Sequence, residues 1–563
     1  MSTWKPGRIS DVIGEIGEEK YVLPVIQRSL VWTEEKMEML FDTLLRGDSF
    51  GGVIVIEEEK NSKPLFNFRP FTKDGELIAS RQVDKLNQTQ NFVIDGQQRL
   101  QSFYIGLAGS FNGKVLYFDL YSDFNNEFDF KFENDQNKLP TRSKDNMERP
   151  IPEHNWFQVS DLFKILKESR DEEQIALELI SSQGIENDEK KKYLTRNIKV
   201  FYKNIFDAEA VGLSKIRINK TYSETANRQR IVELFRRLND GGTKLSSFDL
   251  VSSILKGFAW EMEGFLRETL DDYEDIGLSQ ENLIKLIFIL QDNHNKEMTS
   301  INNDDAKFAI DNRERIKCTL KCVKDFLMHS KLYNYYREGN RSFIPLFFIA
   351  YHLYHKKISD AEVASFFDNY DAGNKDFPKI KSWIFHSLVN GVFKSKGAGW
   401  VPYKTGIRKI LEKIKSHKNL DFPMNDLFSV YLDYPITFVT KYDATILDKL
   451  DASFIYYLMY DQAKTIRVND VDHIMPKSIL GRLNFDSLKI NSIKNFQLID
   501  YKTNRGAKND SAFALWINNP VYVEDKNAFI KLHLIPSDEA LWSEDKFEEF
   551  IEKRAELILK KLP

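Results

Sequence analysis

Phe92-Val93-Ile94-Asp95-Gly96-Gln97-Gln98-Arg99-Leu100 decides the architecture of the first half of the chain. Strand-forming residues stop at Asp-Gly, and Leu100, Phe103, Tyr104 and Leu107 then lie on one helical face. A strand, a glycine turn and a helix start thus follow one another within nine residues. Such a turn sets backbone N–H groups and a helix N-terminus beside Asp95, Gln97, Gln98 and Arg99, a setting that suits an anion such as a nucleotide phosphate. No Gly-x-x-x-x-Gly-Lys-Ser/Thr run occurs, so this is not a Walker A loop. Taken alone, the plainer reading of a polar turn with a surface arginine is the stronger one.

Moving upstream, Leu23-Pro24-Val25-Ile26-Gln27-Arg28-Ser29-Leu30-Val31-Trp32 places a Gln-Arg pair between apolar neighbours. Thr33 is a fair N-cap, and Glu34 and Glu35 stand where the helix dipole favours acids. Met37, Leu40, Phe41 and Leu44 follow at helical spacing, Gly47 can close the helix, and residues 52–57 form an apolar run of strand length. Downstream, residues 131–150 and 183–191 are polar and read as a loop or insertion and a break. A helix with Val232, Phe235 and Leu238 in register then runs into Asn239-Asp240-Gly241-Gly242-Thr243-Lys244-Leu245-Ser246. Those glycines are explained by a helix stop and tight turn, and Ser246 or Ser247 can cap the helix holding Leu250, Val251 and Ile254.

From 257 to 433 the chain is helix-rich, with apolar segments at 283–290, 343–354 and 383–388. The sequence names no chemistry there. His352 and His355 have no obvious acidic partner nearby and read as packing or surface residues; the loop 395–400 is a weak phosphate-contact signal.

A second informative stretch opens with Asp470-Val471-Asp472-His473-Ile474-Met475-Pro476 and closes with Asn504-Arg505-Gly506-Ala507-Lys508-Asn509-Asp510. Carboxylate and amide oxygens hold hard divalent cations, and an imidazole beside them can take a proton from an attacking water. The apolar segment 454–460 is expected to pack beneath it. Residues 471–510 carry seven Lys/Arg against four Asp in a chain of net charge −4, the local sign expected where a polyanion docks.

The 563 residues exceed what one core organises, and three or four domains are expected. The 42% apolar and 13% aromatic content argues for substantial cores rather than disorder. Two cysteines exclude a disulfide framework; Cys318 and Cys322, at helical spacing without a second Cys/His pair, read as buried thiols rather than a zinc site. No signal peptide and no bilayer-length apolar run are legible, so a cytoplasmic protein with no membrane partner is expected.

In this order and setting, Gln27-Arg28 with Trp32, Asp95-Gly-Gln-Gln-Arg99 and Leu238-Asn-Asp-Gly-Gly-Thr-Lys-Leu-Ser246 closely resemble the N-terminal domain of GmrSD-type restriction endonucleases. The resemblance covers roughly residues 10–260. It implies a ParB/sulfiredoxin-like α+β fold and nucleotide binding and hydrolysis. Asp95 and Arg99 come first, and Gly96, Gln97, Gln98, Gln27 and Arg28 line the same pocket. Which of GTP, ATP or UTP is taken stays open. The C-terminal stretch resembles the HNH (ββα-metal) nuclease core. That likeness makes His473 the general base, Asp472 and Asn504 the metal ligands, Asn495 the residue bracing the histidine loop, and Arg505 and Lys508 phosphate contacts. Asn rather than His at the third position favours Mg²⁺ or Mn²⁺ over zinc.

The expected layout is a helix-rich α+β chain. It comprises a ParB-like sensor domain over 1–260 with a polar insertion near 131–150, a helical connector over 261–433, and an HNH domain over 434–563. The expected activity is an NTP-gated, metal-dependent DNA endonuclease of a modification-dependent, phage-defence type. Its partners would be DNA, modified phage DNA included, and nucleotide, and a homodimer or higher oligomer is compatible. The alternative is a ligand-sensing regulator or toxin-like protein whose HNH core acts on RNA or only binds nucleic acid.

Overall fold

The computed structural model describes residues 4–563 except 28, 144–148, 219–220, 241–246, 294–299, 338–340, 371–372, 395–405, 434–436, 461–468, 501–502 and 509. Two units pack internally, Met1–Gly264 with Glu297–Ile310, and Phe265–Lys296 with Asp311–Pro563. The fold class is α+β and helix-rich.

The strands in chain order are β1 (Trp4–Gly7), β2 (Tyr21–Pro24), β3 (Gly52–Glu58), β4 (Phe68–Pro70), β5 (Gln90–Asp95), β6 (Val115–Asp119), β7 (Phe130–Glu133), β8 (Trp156–Gln158), β9 (Val211–Arg217), β10 (Asn469–His473) and β11 (Phe496–Asp500). In the first unit, six of them form a mixed sheet in the order β1-β9-β3-β5-β2-β4, with β3–β9 and β2–β5 parallel. Three more form an antiparallel sheet in the order β7-β6-β8.

Three helices set the frame of the first candidate site. Ile9, Val12, Ile13 and Ile16 repeat on one face of α1 (Ile9–Gly17) and are buried. Helix α2 (Glu34–Arg46) starts after Thr33 and closes on Gly47 in the left-handed conformation, φ 76°, as the sequence leads one to expect. Helix α3 (Gln97–Ala108) begins directly at the end of β5. Leu100 and Phe103 of α3 share one core with Val53, Val55 and Val93 of the sheet and Phe41 of α2.

Two expectations change in this unit. The polar stretch 131–150 is not wholly loop, because β7 runs to Glu133 and Arg142 bridges Glu153. Alternation explains it: Phe128, Phe130 and Phe132 are buried on one face, while Lys131 between them is exposed. The break at 183–191 is shorter than expected, since Asn187 accepts from Lys190 N and starts a helix at Asp188. The turn 241–246 lies outside the described residues.

The second unit holds the helices Gln280–Leu290, Arg313–His329, Ile344–Tyr354 and Asp376–Val389. Cys318 and Cys322 are free thiols, the latter buried. His352 does have an acidic partner: its Nε2 lies 3.2 Å from Asp376 Oδ2, and Lys356 Nζ lies 2.6 Å from the same oxygen. Asp376 comes from a helix 24 residues downstream, so local spacing hid it. The unit's one two-stranded sheet among the described residues is the antiparallel β10–β11 pair. Beneath it, Tyr456, Met459 and Tyr460 pack with Leu498, and Leu498 N donates to the Tyr460 hydroxyl at 2.8 Å. The Arg554 guanidinium, fully buried, donates to the carbonyls of Ile493, Lys494, Phe496 and His533 at 2.7–3.3 Å. Its burial brings its pKa down to about 10.

Candidate active site

Asp472 and His473 end β10, opposite Gln497 and Phe496 of β11. The strand continues into Ile474 and Met475, and Asn495 locks that continuation. Its side chain accepts from Met475 N at 3.0 Å and donates to Met475 O and Ile490 O, each at 3.1 Å, while Ile474 N donates to its backbone oxygen. Asn495 is 0% exposed, so each of these bonds is made without competing water.

The His473 ring lies 4.7 Å from the Phe496 ring, centroid to centroid, and its Nε2 is 3.1 Å from Asn491 Oδ1. Asn491 Nδ2 donates to Ser487 O at 2.8 Å, which turns its oxygen toward the histidine. Nε2 therefore carries the proton and Nδ1 keeps the lone pair. Burial lowers the His473 pKa, against the opposing influence of Asn491 and Asp472. The ring is thus neutral and able to accept a proton near neutral pH.

Asp472 is nearly buried, and its Oδ2 receives Gln497 Nε2 at 2.9 Å and Lys508 Nζ at 2.7 Å. Asn504, in the π-helical turn Thr503–Lys508, donates from Nδ2 to Asp470 Oδ2 at 3.2 Å. Asp470 and Asp472 stand two apart on β10 and share a face. The structure thus brings Asp470 into the set with Asp472 and Asn504.

Lys508 is placed differently from the phosphate contact expected of it. It is 1% exposed, its ammonium pairs with Asp472 and donates to His473 O, and burial lowers its pKa. The carboxylate drew the cation inward. The Arg505 side chain lies outside the described residues.

The donors fit a hard divalent cation. Two carboxylates and an amide, all offering oxygen, come from β10 and the turn at 503–508, and Asp472 already holds a positive charge at 2.7 Å. Gln497 Oε1, beside Asp472, is a buried acceptor with no hydrogen-bond partner.

At the other candidate site, Gly96 turns β5 into α3 with φ 89°. A Cβ there would lie 2.9 Å from Val53 Cγ2 and 3.0 Å from Gly52 O, so glycine is required on both steric and conformational grounds. Asp95 and Arg99 face each other one helical turn apart, at 3.3 Å, and both reach solvent. Arg99 also donates to Gly52 O at 2.5 Å, and its Nε is buried with no partner.

The glutamines act chiefly as clasps. Gln27 Nε2 donates to Val93 O and Ile94 O at 2.8 and 2.7 Å. Gln98 accepts from Val31 N at 2.9 Å and donates to Ser29 O at 3.1 Å. Both amides tie the loop after β2 to the strand–turn–helix. Gln97 is buried, and Arg28 lies outside the described residues.

Sequence reasoning missed Asn491, Gln497 and Asp470 at the hairpin. Only Asp470, two before Asp472, carried a local signal. It also missed Asp119, Asp129 and His154, whose ligand atoms lie within 4.8 Å of one another. Arg149 sits among them, 2.7 Å from Asp119 and 3.0 Å from Asp129, and Asn155 N and Tyr121 N also bond Asp119. A guanidinium already satisfies those carboxylates, and the cluster reads as a buried brace.

Residues 9–256 match the family model of the GmrSD restriction endonuclease, N-terminal domain. An uncharacterized protein of Methanocaldococcus jannaschii is 26% identical over 268 residues, a span of 43% of this chain and 40% of that protein. The chain therefore spans less than half the length of this curated relative. No helix among the described residues is long and apolar enough to cross a membrane. The Asp95–Arg99 strand–turn–helix lies inside the matched span, so residues 9–256 of this chain are similar to the N-terminal domain of the GmrSD restriction endonuclease.

Proposed function

We propose that the chain is a divalent-metal-dependent DNA endonuclease of the modification-dependent restriction type, with cutting gated by a nucleoside triphosphate at the N-terminal domain. The observation that carries the nuclease reading is the hairpin: a neutral His473 with its free Nδ1, fixed by Asn491, beside Asp470, Asp472 and Asn504. His473 Nδ1 takes the proton of the attacking water. Asn495 holds the backbone after His473 so that the ring keeps its direction. Asp472 and Asn504, with Asp470 close by, would hold Mg²⁺ or Mn²⁺, which would supply charge neutralisation at the scissile phosphate.

At the N-terminal domain, Asp95 and Arg99 are the groups left open to a nucleotide, while Gln27 and Gln98 shape the turn that presents them. The start of α3 has no side-chain cap from Gly96.

The test is incubation with plasmid and with modified phage DNA, in Mg²⁺ or Mn²⁺, with and without GTP, ATP or UTP. Cleavage that needs metal and responds to nucleotide or modification is expected. His473→Ala should abolish cutting while DNA binding and nucleotide turnover survive. Full cleavage by that variant would remove His473 from its role, and cutting of RNA alone would favour the ribonuclease alternative.

A further inference from the structure

The second unit contains a cavity of about 360 Å³ that neither the hairpin nor the N-terminal turn uses, lined by Tyr335, Arg341, Ser342, Ser387, Lys394 and Asp451 among others. Its volume lies within the range of small-ligand sites, about 300–1,000 Å³. Arg341 stacks over the Tyr335 ring, 4.2 Å from guanidinium carbon to centroid, and donates to Ser453 Oγ at 3.3 Å. Among the described residues its buried Nε has no hydrogen-bond partner. Among the described residues, no carboxylate pairs with it.

The one carboxylate of the lining is already committed. Asp451 Oδ1 accepts from Ser453 N, Phe454 N and Ser453 Oγ, capping the helix Ala452–Met459, and Oδ2 lies 2.5 Å from Lys394 Nζ. Among the described lining residues, two cations stand against one carboxylate, and the Arg341 guanidinium is covered on one face by an aromatic ring. A half-buried, oriented guanidinium with no counter-ion among the described residues suits an anion.

We propose that this cavity binds a phosphate group, carried by a free nucleotide or by a nucleic-acid backbone. Arg341 provides the planar fork, Lys394, which reaches the same Ser453 Oγ at 3.2 Å, a second positive charge, and Ser342 an exposed hydroxyl. The proposal does not depend on nucleotide binding at Asp95–Arg99 or on cleavage at the hairpin.

Hydrogen exchange on the full chain tests it, with inorganic phosphate, a nucleoside triphosphate and a 5′-phosphorylated single-stranded oligonucleotide as separate probes. At least one probe should slow exchange in peptides spanning 341–346 and 391–394. Protection by the small probes identifies a free phosphate or nucleotide; protection by the oligonucleotide alone identifies a strand backbone. Arg341→Met and Lys394→Met should each weaken the protecting probe by about tenfold or more, the scale of one charge-assisted hydrogen bond. Lys394→Met, at a side chain 46% exposed, keeps the test decisive should Arg341→Met fail to fold. Absence of protection by all three probes, or protection unchanged in both variants, would overturn the proposal.

Discussion

Replacing Lys508 by Met removes the ammonium from Asp472 and keeps a stem of similar volume. The pair is 2.7 Å apart, with side-chain exposures of 1% for Lys508 and 10% for Asp472. Removing one partner of a buried pair costs about 3–5 kcal/mol. Gln497 still donates to the Asp472 carboxylate, which argues for the lower end, about 3 kcal/mol. Hydrogen exchange of β10 and β11 in the presence of a chelator should then run about 150-fold faster than in the unaltered chain.

A divalent cation bound at the vacated position should reverse part of that loss. At a concentration ten times its dissociation constant the recovery is about 1.4 kcal/mol, or about tenfold in exchange. The unaltered chain should respond less, because the ammonium competes for the same oxygen. Exchange in Lys508→Met equal to that of the parent would show that the pair contributes nothing to the hairpin. Exchange that is faster but indifferent to Mg²⁺ and Mn²⁺ would refute the assignment of Asp472 to a metal.

Three further outcomes are expected. Gly96→Ala should lower stability by about 1–3 kcal/mol, read as a shift in thermal midpoint, because it combines φ 89° with contacts under 3.1 Å; nucleotide turnover should fall with it. Arg554→Met should cost about 3–5 kcal/mol in urea unfolding, since four buried or part-buried carbonyls lose a charged donor. His533 is buried against Tyr460 and Arg554, which brings its pKa down to about 3. Between pH 6.5 and about 3 the unfolded chain binds a proton there that the folded chain does not, so stability falls on acidification by about 1.4 kcal/mol per pH unit from this residue. His533→Leu should flatten the slope of unfolding free energy against pH by about that amount in the same window.

Much of the local architecture is legible without coordinates. The helix from Glu34 to Arg46 with Thr33 before it and Gly47 after it, and the passage from β5 through Gly96 into α3, follow from periodicity and turn chemistry over a few residues. The alternation of Phe128, Phe130 and Phe132 was equally present, but the polar residues around it masked a strand.

The sequence by itself singled out the candidate residues: Asp95 and Arg99 at a glycine turn, and Asp472, His473, Asn495 and Asn504 in a fixed order. Their types and short spacings are local properties, and they persist whatever the rest of the chain does. Tertiary structure alone decided which of the candidates are engaged by other groups of the chain. Gln27 and Gln98 were drawn into clasping backbone about 66–69 residues away. Lys508 was drawn to Asp472 across 36 positions, Asn491 to His473 across 18, and Arg554 beneath β11 from about 60 residues downstream. A buried charge or amide must find its partner wherever the fold supplies one, because the cost of leaving it unpaired exceeds that of any local alternative. That requirement is met in three dimensions, and sequence spacing carries no trace of it.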